Sequence, residues 1–336
     1  MSVDLTNISQ EVIGKVRASI VAVYQVVPVK WDESNSTLTV AVGPATTDID
    51  DLKFVLNCNV ELVLAVKADL EAAIAKYYGF GLKMETHTEH IADWIAGYVE
   101  DVGAKGVVIG LSGGVDSSVV AALSVNALGA NRVAGLFMPC DSSYQDATDA
   151  RHLAKWLGVG FNTVYLRSTY NSVMVNLFVG QSQIAQANVK SRLRMISLYA
   201  YAGQLDYLVV GTTNKSEMAI GYFTKWGDGG VDIEPIASYY KTDIYKMAEV
   251  LGIAEAFPSI VTKPPSAGLW DGQTDEGEIG VTYKVLDKYL KCCEDSVCSV
   301  SLAEEIGRDM LSKIQGLISR TAHKRKMPPV CDRLTD

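Results

Sequence analysis

The sequence predicts an α/β fold, a doubly wound parallel sheet preceded by a small α+β domain, on three observations. A short apolar run, Val107 to Leu111, passes through a glycine turn into an apolar-rich helix. Strand and helix patterns then alternate as far as Val210, and such alternation gives a parallel sheet with right-handed crossovers. Residues 1–83 carry a separate pattern, read as αββαβα.

In that first module Ile8 to Ile20 reads as a helix and Gln25 to Trp31 as a strand. Asp32-Glu33-Ser34-Asn35-Ser36 reads as a hairpin turn. Thr37 to Val42 is the return strand, with Leu38, Val40 and Val42 on one face, and Gly43-Pro44 stops it. Asp48 to Leu56 reads as a helix, Val60 to Val66 as a strand, and Ala68 to Tyr78 as a helix closed by Gly79. Phe80 to Met84 reads as a linker, which divides the chain into domains 1–83 and 84–336.

The second domain opens on an amphipathic helix, Glu89 to Val102, with Ile91, Ile95, Tyr98 and Val99 facing inward. After the glycine turn and its helix, Arg132 to Phe137 is the second strand and Pro139 to Gln145 a polar turn. Ala147 to Leu157 is a helix closed by Gly158, and Phe161 to Leu166 the third strand. Helices over Ser168–Phe178 and Ile184–Ala202 lead to the fourth strand, Leu205 to Val210. Val231 to Ile236 reads as a fifth strand and Lys241 to Leu251 as a helix. Lys263 to Gly280 is a loop of the length usually kept for function. Two helices follow, near Tyr283–Cys293 and Leu302–Arg320.

Net charge is −9, which argues against non-specific nucleic-acid binding and against an anionic membrane surface. No apolar run approaches the length of about 18 residues that a membrane span needs, and no signal-peptide pattern opens the chain, so a cytoplasmic location is expected. The six cysteines, Cys58, Cys140, Cys292, Cys293, Cys298 and Cys331, match no zinc spacing and read as free thiols.

The glycine turn carries the chemistry. Ser112-Gly113-Gly114 breaks the strand, and Asp116 and Ser117 are residues that cap helices well. Such a turn aims backbone N–H groups and the positive end of a helix dipole at one spot, where a phosphate fits. Glycines let the anion approach the backbone. The turn lacks the G-x-x-x-x-G-K-[ST] and G-x-G-x-x-G patterns. A carboxylate inside it, Asp116, is useful beside phosphate where Mg²⁺ sits between them.

SGGVDS resembles the pyrophosphate loop of the adenine-nucleotide hydrolase-like ligases, a group that includes NAD synthetase and GMP synthetase. The blocks SGGVDSS, NVKSRLRM, GTTNKSE, GYFTKWGDGGVDIEP, KPPSAGLWDGQTDE and HKRKMPP resemble, in that order, ammonia-dependent NAD synthetases over residues 85 to about 330. Residues 1–80 resemble the N-terminal domain of type II secretion ATPases, some relatives of which bind cyclic di-GMP through an arginine-led repeat. Here Arg17 is the arginine of that region and no such repeat follows it, so a docking or oligomerisation module without a ligand is the favoured reading.

The NAD synthetase resemblance implies a Rossmann-like sheet and a ligase joining ammonia to deamido-NAD at the expense of ATP. AMP is first transferred to the substrate carboxylate and pyrophosphate leaves. It implies ATP contacts at Gly110, Leu111, Ser112, Gly113, Gly114, Val115, Asp116, Ser117, Thr212, Lys241 and Ser266. Catalytic roles fall on Asp116, Glu217 and Lys241, with Asp116 and Glu217 as Mg²⁺ ligands. Arg192, Lys225, Asp232, His323 and Lys324 match positions that hold deamido-NAD. On the 184–202 helix, Arg194 lies about 200° round from Arg192, so the two cannot aim at one ligand. The implied assembly is a homodimer; the 188–202 helix, rich in Met195, Ile196, Leu198, Tyr199 and Tyr201, is the stretch expected at its interface, with ordinary core burial as the competing reading. The alternative is another ligase on the same loop, such as a GMP synthetase ATPase half, which shares SGGVDS but not the later blocks. A regulatory binding module with dead chemistry is disfavoured by the intact Asp116, Glu217 and Lys241.

Overall fold

A computed structural model of the chain describes all residues except 1, 2, 4, 18, 19, 22, 23, 25, 44–48, 57, 79–83, 178–181, 271, 295–305 and 332–336. Residues 80–83 of the expected linker, with Gly79, Pro44 and Cys298, therefore lie outside the described residues, while Met84, expected in the linker, already begins a helix. The chain divides into two compact units, the first Met1–Met84 with Lys291–Leu302 and the second Glu85–Leu290 with Ala303–Asp336.

In the first unit the alternating apolar residues of β1 (Val26–Asp32) and β2 (Thr37–Val42) pair antiparallel, and β2 pairs parallel with β3 (Asn59–Leu64). The sheet order is β1-β2-β3. Helices α1 (Gln10–Ile13), α2 (Ile49–Leu56) and α3 (Lys67–Tyr78) accompany it, and Val26, Leu38, Val40, Leu52, Leu70 and Ile74 share its core. Among the described residues the helix expected over Ile8–Ile20 is a single turn closed by Gly14, after which Ile20 and Val21 are again helical.

The second unit begins with α4 (Met84–Asp101), which buries Ile91, Ile95 and Val99 at intervals of one helical turn. Strands β4 (Gly106–Gly110), β5 (Val133–Phe137), β6 (Gly160–Thr163) and β7 (Tyr207–Val210) form a wholly parallel sheet in the order β6-β5-β4-β7. Val107, Val108 and Ile109 have no exposed surface, as expected of a strand covered on both faces. The helices between strands are α5 (Val115–Leu128), α6 (Tyr144–Leu157), α7 (Arg167–Leu177) and α8 (Gln183–Leu205). The chain steps outward from β4 to β6 and then returns to the other side of β4 for β7. This reversal opens a crevice at the C-terminal ends of β4 and β7, where open α/β sheets bind ligands.

Beyond β7 come α9 (Lys215–Ile220), α10 (Lys241–Val250), α11 (Ile253–Ala256), α12 (Pro258–Thr262), α13 (Asp275–Ile279), α14 (Tyr283–Glu294) and α15 (Arg308–Arg320). Three expectations change here. The fifth strand is a single parallel bridge, Val210 to Ile233, because the glycine-rich turns before it and Pro235 after it leave no room for a ladder. Helix α6 starts three residues early because Ser143 and Asp146 form a reciprocal capping box. Helix α5 is capped by Gly114 without a side-chain bond, so Asp116 lies inside its first turn and is not its cap. No helix among the described residues is long and apolar enough to cross a membrane.

Candidate active site

The turn after β4 is held by its own hydroxyls. The Oγ atoms of Ser112 and Ser117 lie 3.0 Å apart, Gly114 N–H donates to Ser112 Oγ at 3.1 Å, and Ser117 Oγ donates to the Gly114 carbonyl at 3.1 Å. Gly113 has φ +80°, and a Cβ there would lie 2.6 Å from the Asp146 carbonyl oxygen. Only glycine fits both the left-handed backbone and the close approach. The result is a rigid arch over the N-terminal end of α5, whose dipole favours an anion.

The turn after β7 meets it. Asn214 caps α9 by accepting from Glu217 N–H at 3.0 Å, and Glu217 Oε2 accepts from Asn214 N–H at 3.2 Å. The same Asn214 donates through Nδ2 to Asp116 Oδ1 at 2.9 Å. Lys241, at the start of α10, places Nζ 2.6 Å from Asp116 Oδ2 and 3.4 Å from Glu217 Oε1. Its side chain is only 3% exposed. Burial works against the ammonium, but Asp116 and Glu217 outweigh it and hold the lysine protonated well above its ordinary range.

Burial pushes the Glu217 carboxyl up, against the pull of Lys241, and burial likewise raises Asp275. The Tyr283 hydroxyl lies 3.2 Å from Glu217 Oε1 and 3.0 Å from Asp275 Oδ2. One phenol proton serves one acceptor, so the second contact is completed when a carboxyl of the pair carries a proton. Asp275 Oδ1 is buried with no partner among the described residues. Ser216, Asp287 and the first N–H groups of α10 brace the cluster from behind: Lys241 N–H donates to Ser216 Oγ at 2.9 Å, and Thr242 N–H to Asp287 Oδ2 at 2.9 Å.

These groups face a cavity of about 380 Å³. Gly110, Leu111, Ser112, Gly114, Val115, Asp116, Ser117, Thr212, Glu217, Lys241, Ser266 and Lys324 line it. Gly113 packs behind it on Asp146. Arg192, Lys225, Asp232 and His323 are not among its lining residues and form surface contacts instead. Arg192 Nη2 donates to the Lys225 carbonyl at 3.2 Å, and Lys225 Nζ to the carbonyls of His323 at 2.8 Å and Lys326 at 2.7 Å. Asp232 accepts from the Tyr199 hydroxyl at 2.9 Å and from Val209 N–H at 2.8 Å. Lys324 Nζ donates to the carbonyls of Gly221 at 2.8 Å and Phe223 at 2.7 Å, so the C-terminal basic run is strapped to the 221–225 turn.

Two loops cradling one cavity at the β4–β7 crevice fit a nucleotide-dependent enzyme, and comparison with known proteins decides which. The family model described as NAD synthase matches residues 87–328.

The chain belongs to the NAD synthase family.

It is similar to the NH(3)-dependent NAD(+) synthetase of Methanosarcina mazei, at 42% identity over 255 residues, covering 74% of this chain and 98% of that one. The counterpart from Carboxydothermus hydrogenoformans is 42% identical over 250 residues, covering 73% and 97%. Among solved structures, an NMN synthetase from Francisella tularensis superposes with TM-score 0.67 at 34% identity, covering 75% of this chain and all of that one. An NH3-dependent NAD synthetase from Campylobacter jejuni, in complex with nitrate, gives TM-score 0.64 at 28% identity with the same coverage. The NAD synthase match favours NAD formation over the GMP synthetase alternative. A second family model, described as MshEN domain, matches residues 1–84.

Sequence reasoning missed several groups that this NAD synthase domain places on the cavity wall, as with Arg194 and Asp275, or behind it, as with Asn214, Tyr283 and Glu234. Asn214 carries an N-x-x-E capping-box signal that would have placed it beside Glu217. Arg194, not Arg192, lines the cavity; the 200° separation shows that one is excluded but not which. Asp275 and Tyr283 come from the long loop and the helix after it, and nothing local marks them. Glu234 accepts from Thr213 N–H at 3.2 Å, and a Cβ on Gly211 would lie 2.3 Å from its carboxyl. Burial pushes that carboxyl up to about 8.

Proposed function

We infer that the protein is a ligase that forms NAD from deamido-NAD, ATP and ammonia. The observation that carries this reading within the family is the cluster of Asp116, Lys241 and Glu217, drawn from three separate stretches onto the cavity floor beside the phosphate turn. A carboxylate is a poor electrophile, so AMP is transferred to it and pyrophosphate leaves; ammonia then attacks the acyl carbon and AMP leaves. The turn at 112–117 takes the β- and γ-phosphates, and the Lys241 ammonium, held charged by its neighbours, offsets the charge that develops as pyrophosphate departs. Thr212 and Ser266 supply hydroxyls on the cavity wall. Lys324 at the wall, with Arg192, Lys225, Asp232 and His323 outside it, would hold deamido-NAD.

The donor set fits Mg²⁺. Among the described residues no three acidic, histidine or cysteine side chains form a ready cage. Mg²⁺ commonly takes one or two carboxylates plus substrate phosphates. Asp116 and Glu217 would hold it, and the unpartnered Asp275 Oδ1 supplies a further buried oxygen nearby. When bound, the ion neutralises phosphate charge.

The proposed assembly is a homodimer. Ile196 is 57% and Tyr199 38% exposed one turn apart on α8, apolar side chains of the kind that a partner covers. Light scattering on the whole protein at micromolar concentration tests this, and a monomer with full activity overturns it. The domain division is proposed at 83/84, with 1–83 a docking or oligomerisation module. An ATP requirement and the free thiols of Cys58 and Cys140 support a cytoplasmic location.

Purified protein with ATP, Mg²⁺ and deamido-NAD should produce NAD and AMP in step with NH₄Cl, and far more slowly with glutamine. Absence of NAD with NH₄Cl overturns the reading.

A further inference from the structure

Helix α8 carries two cations that the reaction scheme above leaves unused. Lys190 and Arg194 are four residues apart and share a face. Lys190 Nζ donates to the Leu269 carbonyl at 2.5 Å and to Asp141 Oδ2 at 2.5 Å, with its side chain only 8% exposed. Arg194 Nε donates to the Met138 carbonyl at 3.2 Å and Nη2 reaches the Gly268 carbonyl at 3.5 Å. Each cation therefore bridges the same two segments: the turn after β5, through Met138 or Asp141, and the long loop, through Gly268 or Leu269. Asp141 has φ +74°, a left-handed backbone that turns its carboxylate toward Lys190, and it pairs with Arg167 as well.

Residues 266–270 of the long loop line the cavity, as does Met138. A buried ammonium is costly unless its donors are used. If Leu269 lifts away, Lys190 keeps Asp141 and loses its second acceptor, so the electrostatics favour the loop in place.

We propose that Lys190 and Arg194 are positioning residues that fasten the 266–270 loop across the cavity and so protect the acyl-adenylate from water. The proposal rests on the NAD-forming reading. When ammonia attacks, one NAD appears for each AMP. When water attacks instead, its oxygen bonds to the acyl carbon, the acyl–phosphate bond breaks, and deamido-NAD and AMP are released. No electrons change hands, and the sum is hydrolysis of ATP to AMP and pyrophosphate. A loosened loop therefore shows as AMP in excess of NAD.

The test uses full-length protein, wild type beside Lys190→Met and Lys190→Arg, with ATP, Mg²⁺, deamido-NAD and NH₄Cl. AMP and NAD are quantified together, and chymotrypsin cleavage after Trp270 is timed. Loss of one charge-assisted bond is worth about a tenfold change. Lys190→Met is expected to raise the AMP-to-NAD ratio and the cleavage rate by about that factor, and Lys190→Arg to restore both toward wild type. A Lys190→Met protein with the wild-type ratio and cleavage rate overturns the proposal. Arg194→Gln is read in the same way should Lys190→Met not fold, and an unchanged ratio there also overturns it. Failure of the wild type to make NAD is a different result, and refutes the reaction instead of the fastening.

Discussion

Replacing Glu234 by glutamine should flatten part of the pH dependence of stability. The Glu234 carboxyl sits behind the active-site turn, accepting from Thr213 N–H at 3.2 Å and pressed against Gly211, where even a Cβ would lie 2.3 Å away. Burial raises its pKa from 4.5 to about 8, only partly offset by the bonds from Thr213 and slightly reinforced by Asp228. A folded-state value above the unfolded one means that the native state binds more protons between the two. The stabilisation is therefore complete below about 4.5 and is lost as pH rises through about 8. At roughly 1.4 kcal/mol per pKa unit, the loss is of order 3–5 kcal/mol. Glutamine keeps the acceptor for Thr213 and has no charge to desolvate. Urea unfolding of both proteins at pH 5, 7 and 9 measures the difference. The variant should gain on wild type steadily from pH 5 to pH 9, by about 3 kcal/mol or more at the alkaline end. Parallel stability profiles would show that the carboxyl is solvated and the burial argument is wrong.

Asp116→Asn should abolish turnover while leaving the far-UV spectrum unchanged, since it keeps the bond geometry to Asn214 but removes the charge; wild-type kcat in a folded variant at saturating Mg²⁺ refutes the assignment. Lys241→Met strands two buried carboxylates, at a cost of about 3–5 kcal/mol in thermal or urea stability and about a hundredfold or more in kcat. A loss below about 1 kcal/mol would mean the carboxylates are neutral without it. Gly113→Ala forces a Cβ to within 2.6 Å of the Asp146 carbonyl oxygen, so KM for ATP should rise and unfolding should come at lower urea; a neutral effect on both would show that the turn relaxes freely. A protein beginning at residue 84 should remain soluble and still make NAD, and failure of the folded fragment to bind ATP would place part of the first domain in the site.

Legibility of this chain divides along the distance over which a residue's role is decided. Gly113 and Asp116 could be read locally because strand, turn and helix are consecutive, and the phosphate preference follows from backbone geometry within a few residues. The four strands and the helices between them were readable for the same reason: each is a run of one period ended by glycine or a polar turn. Strand Val231–Ile236 misled because its apolar residues pack singly beside β7, and a single bridge has the same composition as a short ladder. The early start of α6 was available in Ser143 and Asp146 but is outweighed, in a periodicity reading, by the polar turn before it. The partners of Lys241 belong to the opposite case. Its charge suggests a hand for phosphate, yet the structure gives it Asp116, from 125 residues away, and Glu217, from 24 away.

That long-range closure also explains why Asn214 matters more than its modest side chain implies. It satisfies the N-terminus of α9 with one end of its amide and holds Asp116 with the other, so it ties the turns after β4 and β7 together directly, beside the bridge that Lys241 makes between Asp116 and Glu217. A histidine at this position could still cap or donate, but not both in the same geometry, because its two ring nitrogens point in divergent directions and each is either donor or acceptor. Asn214→Ala should lower kcat while leaving the capping partner Glu217 to hold its own helix end less well, a loss of about 1 kcal/mol in stability. Asn214→Asp should keep the cap and fail in turnover, since it sets a second carboxylate against Asp116. If Asn214→Asp turns over as fast as wild type, the amide bond to Asp116 does not position the site, and the two turns are aligned by Lys241 alone.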